Sequence, residues 1–207
     1  MGPYFLRIRP WRLPPAHLPM AFSPAFSAPV AALVYGPSSR GADTLLADFA
    51  RDLLAQGRRL HGLVQHEIVP RGGGRPQRQL SDLRSGRLYG LSQDLGPGSR
   101  ACSLDPGALA AASHVLRAAL QARAELVIVN RFGAIEAAGG GFAQEMLALM
   151  SEGIPLVTVV SAVLLPDWRR FTGQAGLELP VARAPLQAWF EQLANGYAAA
   201  GQPDAAT

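Results

Sequence analysis

The sequence predicts an α/β fold: a three-layer domain in which a mostly parallel sheet carries helices on both faces, with one β-hairpin insertion. Two observations lead there. From Pro29 onward, short runs dense in Val, Leu and Ile alternate with longer runs whose apolar residues recur every three or four positions, the order of β-α-β units. The first strand-like run ends at Gly36, and a G-x-x-x-x-G spacing then leads through Gly41 into an apolar-periodic helix, the outline of a phosphate-binding loop.

Taken in order, Val30–Tyr35 predicts the first buried strand. Asp43–Gln56 predicts a helix, with Leu45, Leu46, Phe49, Leu53 and Leu54 on one stripe and Gly57 as its stop. Leu60–Val69 reads as a second strand and RGGGRPQRQ after it as an exposed arginine-rich loop. Gln79–Leu83 and Arg87–Ser92, joined by Arg84, Ser85 and Gly86, predict the hairpin. Asp105 as a cap and Pro106 at the first helical position mark the start of a long Ala-rich helix. Glu125–Asn130 predicts a central strand, Gly141–Glu152 a helix and IPLVTVV a further buried strand. LPDWRRF and APLQAWFEQLANGYAAA predict two amphipathic helices.

The domain is expected to span residues 29–200. Residues 1–28, broken by prolines at 10, 14, 15, 19 and 24 and followed by Pro29, read as a disordered extension with Met20 as an alternative start, and 201–207 as a disordered tail. At 207 residues the chain has room for one sizeable core.

Composition excludes several classes. All 19 basic residues are arginine, so Schiff-base and lysine-linked pyridoxal phosphate chemistry are ruled out. Arg7, Arg9 and Arg12 sit in an acid-free N-terminal stretch; beyond it 16 arginines face 15 acids, so a general nucleic-acid surface is not supported. One cysteine, Cys102, permits no internal disulfide and fits a cytoplasmic setting. His17, His61, His66 and His114 show no zinc-ligand spacing, so no zinc or other metal site is expected. No apolar run approaches the roughly 20 residues that span a bilayer.

Three loops fall where strands of a parallel sheet end, the edge at which such sheets bind ligands. In the first, Gly36, Ser38, Ser39, Arg40 and Gly41 offer amides and donors for an anion. A phosphate-binding loop would continue with Lys and Ser or Thr, whereas this chain has Ala42 and Asp43, and the Asp43 carboxylate opposes phosphate at the helix start. The second, LSQDLGPGSRACSLDPG, gathers Gln93, Asp94, Ser99, Arg100, Cys102 and Asp105 around a glycine-proline turn. Arg100 is a candidate for an oxyanion or for a bridge to Asp94, and Cys102 for a thiolate or a small core residue. The third, IVNRFGAIEAAGGGF, places Asn130 and Arg131 at a strand end and presents Glu136 as a candidate general base or helix-capping residue. His61 and His66 read as ordinary strand residues.

With its initial strand and loop, SQDLGPGSRACSLD and VNRFGAIEAAGGGF, the chain resembles the bacterial family called domain of unknown function 2478 over about residues 29–180. The resemblance implies a divergent P-loop nucleoside-triphosphatase fold, similar to small nucleoside-triphosphatases whose matching strand end reads D-E-I-G-x-M-E. Here the leading acids are replaced by Asn130 and Arg131, while Gly133 and Glu136 remain. The resemblance also implies an accessory role in molybdenum handling.

The leading expectation is therefore a non-hydrolysing protein that binds a small anion, a nucleotide or an oxyanion such as molybdate, with Arg100 and Arg131 converging on it. Two readings stay beside it. One is a lysine-independent hydrolase or transferase with Glu136 as base and Asp94 or Asp105 holding a metal. The other is a protein-binding adaptor using the segment Arg71–Arg87.

Overall fold

The computed structural model describes residues 29–37, 39, 41–69, 76–91 and 105–200. Seven strands form one sheet: β1 (Val30–Tyr35), β2 (Leu60–Ile68), β3 (Gln77–Asp82), β4 (Leu88–Gly90), β5 (Leu126–Phe132), β6 (Leu156–Ser161) and β7 (Leu177–Pro180). Their order is β4-β3-β2-β5-β6-β1-β7. β2, β5, β6, β1 and β7 run parallel, and only β3, antiparallel to both β2 and β4, departs from that direction. The helices are α1 (Ala42–Ala55), α2 (Pro106–Ala122), the single turn α3 (Ala134–Ala137), α4 (Ala143–Ser151), α5 (Leu165–Phe171) and α6 (Arg183–Ala200).

Strand alternation builds the three layers. In β1, Val30 and Ala32 face one side and Ala31 and Leu33 the other; in β5, Val127 and Val129 oppose Leu126 and Ile128. The first set packs under α2, α4 and α5, where Leu116, Met146 and Trp168 are buried. The second packs under α1 and α6, through Leu46, Phe49, Leu53, Leu186 and Trp189. Both faces of the central strands are thus covered, which is why those strands read as continuous apolar runs.

The three-layer expectation and the hairpin hold, with shifts at element ends. β3 begins at Gln77, inside the stretch expected to be an exposed loop, because Gln77 and Arg78 extend the ladder with β2 while staying exposed; only Leu80 and Asp82 are buried, so no apolar pattern marks the strand. β4 is shorter than expected. β7, LELP, was not foreseen: it has four residues, and Pro180 can pair with Val34 only because the strand lies at the sheet edge. β5 runs two residues past Asn130, and the predicted Gly141–Glu152 helix is Ala143–Ser151.

Asp105 caps α2 as expected, its Oδ1 accepting from the amides of Gly107 at 2.8 Å and Ala108 at 3.2 Å. Gly62 is demanded by the sheet itself. Its φ is +125°, and a Cβ there would stand 2.0 Å from the Ile128 carbonyl oxygen on β5.

Candidate functional site at the C-terminal edge of the sheet

Three elements meet where β1 and β5 end and α1 begins. β6 separates the two strands, so only a long side chain can connect them. Arg131 does so. Phe132, its neighbour, is buried under α5 on the same face as Val129, edge-on to Trp168 with ring centroids 5.2 Å apart, and Arg131, inside the irregular stretch between those two, reaches the α1-facing side. There Arg131 Nη1 donates to the Tyr35 hydroxyl at 2.8 Å, its guanidinium lies 5.3 Å from the Tyr35 ring centroid, and Nη2 donates to Asp43 Oδ2.

The ladder breaks locally to permit this. Between Val129 and Phe132 the pairing of β5 with β6 shifts register. The buried Thr158 hydroxyl fills the gap, donating to the Val129 carbonyl at 2.5 Å and accepting from the Phe132 amide at 3.0 Å. Asn130 and Arg131 are thereby released from ordinary strand pairing while the backbone on either side stays satisfied.

The loop before α1 is held by its own residues. The Gly36 amide donates to Ser39 Oγ at 2.7 Å and the Ser39 amide to the Gly36 carbonyl at 3.2 Å. Gly41, at φ +86°, stands at the N-cap, and no side chain caps the first turn of α1. The amides of that turn keep their positive end of the helix dipole uncovered by a cap.

Four buried polar atoms at this edge have no hydrogen-bond partner: Asp43 Oδ1, Arg131 Nε, and both Oδ1 and Nδ2 of Asn130. They are half of all such atoms among the described residues, which singles this edge out. Asn130 is 1 % exposed, whereas the side chains of Arg131 and Asp43 keep 27 % and 33 % of their surface open to solvent.

Glu136 has a different setting. Its Oε2 accepts from the Gly133 amide at 2.9 Å and its Oε1 from the Phe142 amide at 3.2 Å, and the residue is 7 % exposed. Of the two roles expected for it, helix cap and general base, these contacts supply the cap. Asp105, considered as a metal ligand, spends its carboxylate on capping α2.

The structure thus brings Gly36, Ser39, Gly41, Asn130 and Arg131 to one sheet edge. Ser38, Arg40, Gln93, Asp94, Ser99, Arg100 and Cys102 lie outside the described residues. Arg131 bridges an acid, Asp43 in the first turn of α1. Sequence reasoning did not assign Tyr35 or Thr158 to the site; a tyrosine directly before the first glycine of the loop is the one signal that pointed to either.

At the opposite edge His61, 7 % exposed, accepts through Nε2 from Arg84 Nη1 at 3.0 Å, an arrangement that requires the neutral ring. Burial and the Arg84 charge hold its pKa below the ordinary value, with Asp82 opposing them. In the segment proposed for an adaptor, Arg84 is therefore engaged, and Arg87 stacks over the Tyr89 ring at 5.2 Å. Among the described residues no three His, Cys, Asp or Glu side chains cluster as a metal site, and no helix is long and apolar enough to cross a membrane.

A family model described as "Protein of unknown function (DUF2478)" matches residues 30–189, most of the chain. The chain belongs to the DUF2478 family. The matched span of this chain includes the loop before α1, the end of β5 and the Glu136 turn. The chain is also 36 % identical over 178 residues to a protein of Bradyrhizobium diazoefficiens named "Molybdenum import ATP-binding protein ModC 2". That match covers 86 % of this chain and 20 % of the relative, so this DUF2478 chain spans about a fifth of that protein's length. Among solved structures, a human cancer-related nucleoside triphosphatase has a similar fold, with a TM-score of 0.55 at 19 % identity over 83 % of this chain and 97 % of that one. The two chains share an α/β fold, in keeping with the fold that the resemblance implied.

Proposed function

We propose that this DUF2478 domain binds a small anionic ligand, a nucleotide or an oxyanion such as molybdate, at the C-terminal edge of its sheet, and that it does not hydrolyse nucleotides. The observation that carries the reading is the Arg131–Asp43 pair at the junction of β5 and α1. P-loop hydrolysis needs a lysine on the phosphates and a hydroxyl and acids that hold magnesium. Here Ala42 and Asp43 follow Gly41, and β5 ends in Asn130 and Arg131. The guanidinium supplies positive charge where a hydrolase relies on a metal, and it would repel magnesium from Asp43. These residues do not fit the ion.

Anion binding is supported by the guanidinium, by the first-turn amides of α1 that no side chain caps, and by the unpartnered side-chain amide of Asn130, one residue before Arg131. Glu136 as a general base is not favoured, since both its oxygens already accept backbone amides. A role in molybdenum handling rests on the name of the longer Bradyrhizobium relative.

A thermal-shift screen of ATP, GTP, molybdate, sulfate and phosphate, each with and without magnesium, tests the reading. A ligand bound by the folded state alone raises the melting temperature as its concentration exceeds its Kd. A magnesium-independent rise with one or more of these anions is expected. No rise with any of them would contradict it.

A further inference from the structure

We propose that Asp43 is a built-in competitor for the anion site: in the ligand-free chain its carboxylate occupies Arg131, and an incoming anion binds by displacing it. The inference rests on the reading above that Arg131 receives the anion, and adds how access to it is controlled.

The geometry of the pair is that of a partial substitute. A guanidinium and a carboxylate can meet through two parallel hydrogen bonds, and this chain contains such a pair: Arg169 donates through Nε to Glu178 Oε1 at 2.7 Å and through Nη2 to Oε2 at 2.9 Å. Arg131 and Asp43 do not match it. One bond joins them, from Nη2 to Oδ2, while Arg131 Nε and Asp43 Oδ1 are buried with no partner. A carboxylate tethered to the first turn of α1 reaches one corner of the guanidinium only. A free anion with several oxygens can take Nη2 and Nε together, which Asp43 does not.

The surroundings favour exchange. Asn130, one residue before Arg131, is 1 % exposed and has an unpartnered Nδ2 donor. Tyr35 holds Nη1 through a separate hydrogen bond that does not involve Asp43, which gives the guanidinium a second anchor during the exchange. Both partners of the pair remain partly open to solvent, so the bridge between them is weakly stabilising and screened by salt. The ligand class that follows is a multi-oxygen anion with adjacent acceptor oxygens, either the phosphate chain of a nucleotide or a free tetrahedral oxyanion.

Calorimetric titration of wild type, Asp43→Asn and Arg131→Ala with ATP, with inorganic phosphate and with molybdate tests this and separates the two ligand sources. Removing the competitor makes the binding-competent state the dominant one, so Asp43→Asn is expected to bind the same anion about three- to tenfold more tightly than wild type. Arg131→Ala is expected to lose it. If Asp43→Asn fails to fold, Asp43→Ser carries the same expectation. Wild-type binding that is unchanged or weakened in the Asp43 variants would overturn the competitor and leave the anion-binding reading standing. No binding by wild type or by either Asp43 variant would overturn both.

Discussion

The carboxylate of Glu136 fills the space that a side chain at position 141 would need: a Cβ built on Gly141 would stand 2.0 Å from Glu136 Oε1, and Gly141 itself has φ +56°. The two residues therefore specify one turn, with Glu136 tying Gly133 to Phe142 and Gly141 giving it room. Gly141→Ala is expected to destabilise the fold by roughly 2–4 kcal/mol, from overpacking and the left-handed backbone together. Denaturant unfolding measures it. In combination with Glu136→Ala the two effects should fall well short of additive, because the second change removes the group that the first one strikes.

Glu136→Gln should reduce stability by about 1–3 kcal/mol, since charge-assisted bonds to two backbone amides are weakened in a buried turn. It should leave phosphate release from ATP or GTP at the background of the wild type. Robust magnesium-dependent turnover that this variant abolishes would restore the enzyme reading.

Gly62→Ala is expected to cost more than 3 kcal/mol, as a severe case of overpacking, because the atom it would strike is backbone of the neighbouring strand and cannot swing away. Loss of soluble folded protein, or a melting temperature lowered by many degrees, would be the readout. An unchanged melting temperature would show that β2 and β5 can separate at this point.

Buried His61 gives the fold a pH dependence of known sign. Its pKa is lowered on folding from the ordinary 6.5, so the unfolded chain binds this proton more readily. Its contribution is present above about pH 6.5 and is lost progressively as the pH falls from there toward the lowered folded value. Melting temperature measured from pH 8 to pH 5 should fall on the acid side, and His61→Gln should flatten part of that fall. An identical profile in the variant would remove His61 as its source.

The layered core was legible because its central strands are continuous apolar runs, buried on both faces, as Val30–Tyr35 and Leu126–Val129 show. β7 was not, since four residues ending in proline at an edge carry no period that distinguishes a strand from a loop. At the candidate site, the sequence placed Gly36, Gly41, Asn130 and Arg131 at strand ends, because topology alone sends those ends to one edge. The partner of Arg131 was not legible. Asp43 lies 88 residues away in the chain and across β6, and which acid a long side chain reaches depends on the register shift that Thr158 supports.

In the proposed function Arg131 binds an anion without help from magnesium. Titration of ATP into wild type and Arg131→Ala, each in the presence of magnesium and then of a chelator, tests it most directly. A charge-assisted bond contributes about 1.5–3 kcal/mol, so the substitution should weaken binding roughly ten- to a hundredfold, and wild-type affinity should be the same in both conditions. Wild-type binding that requires magnesium, or that survives Arg131→Ala undiminished, would contradict it.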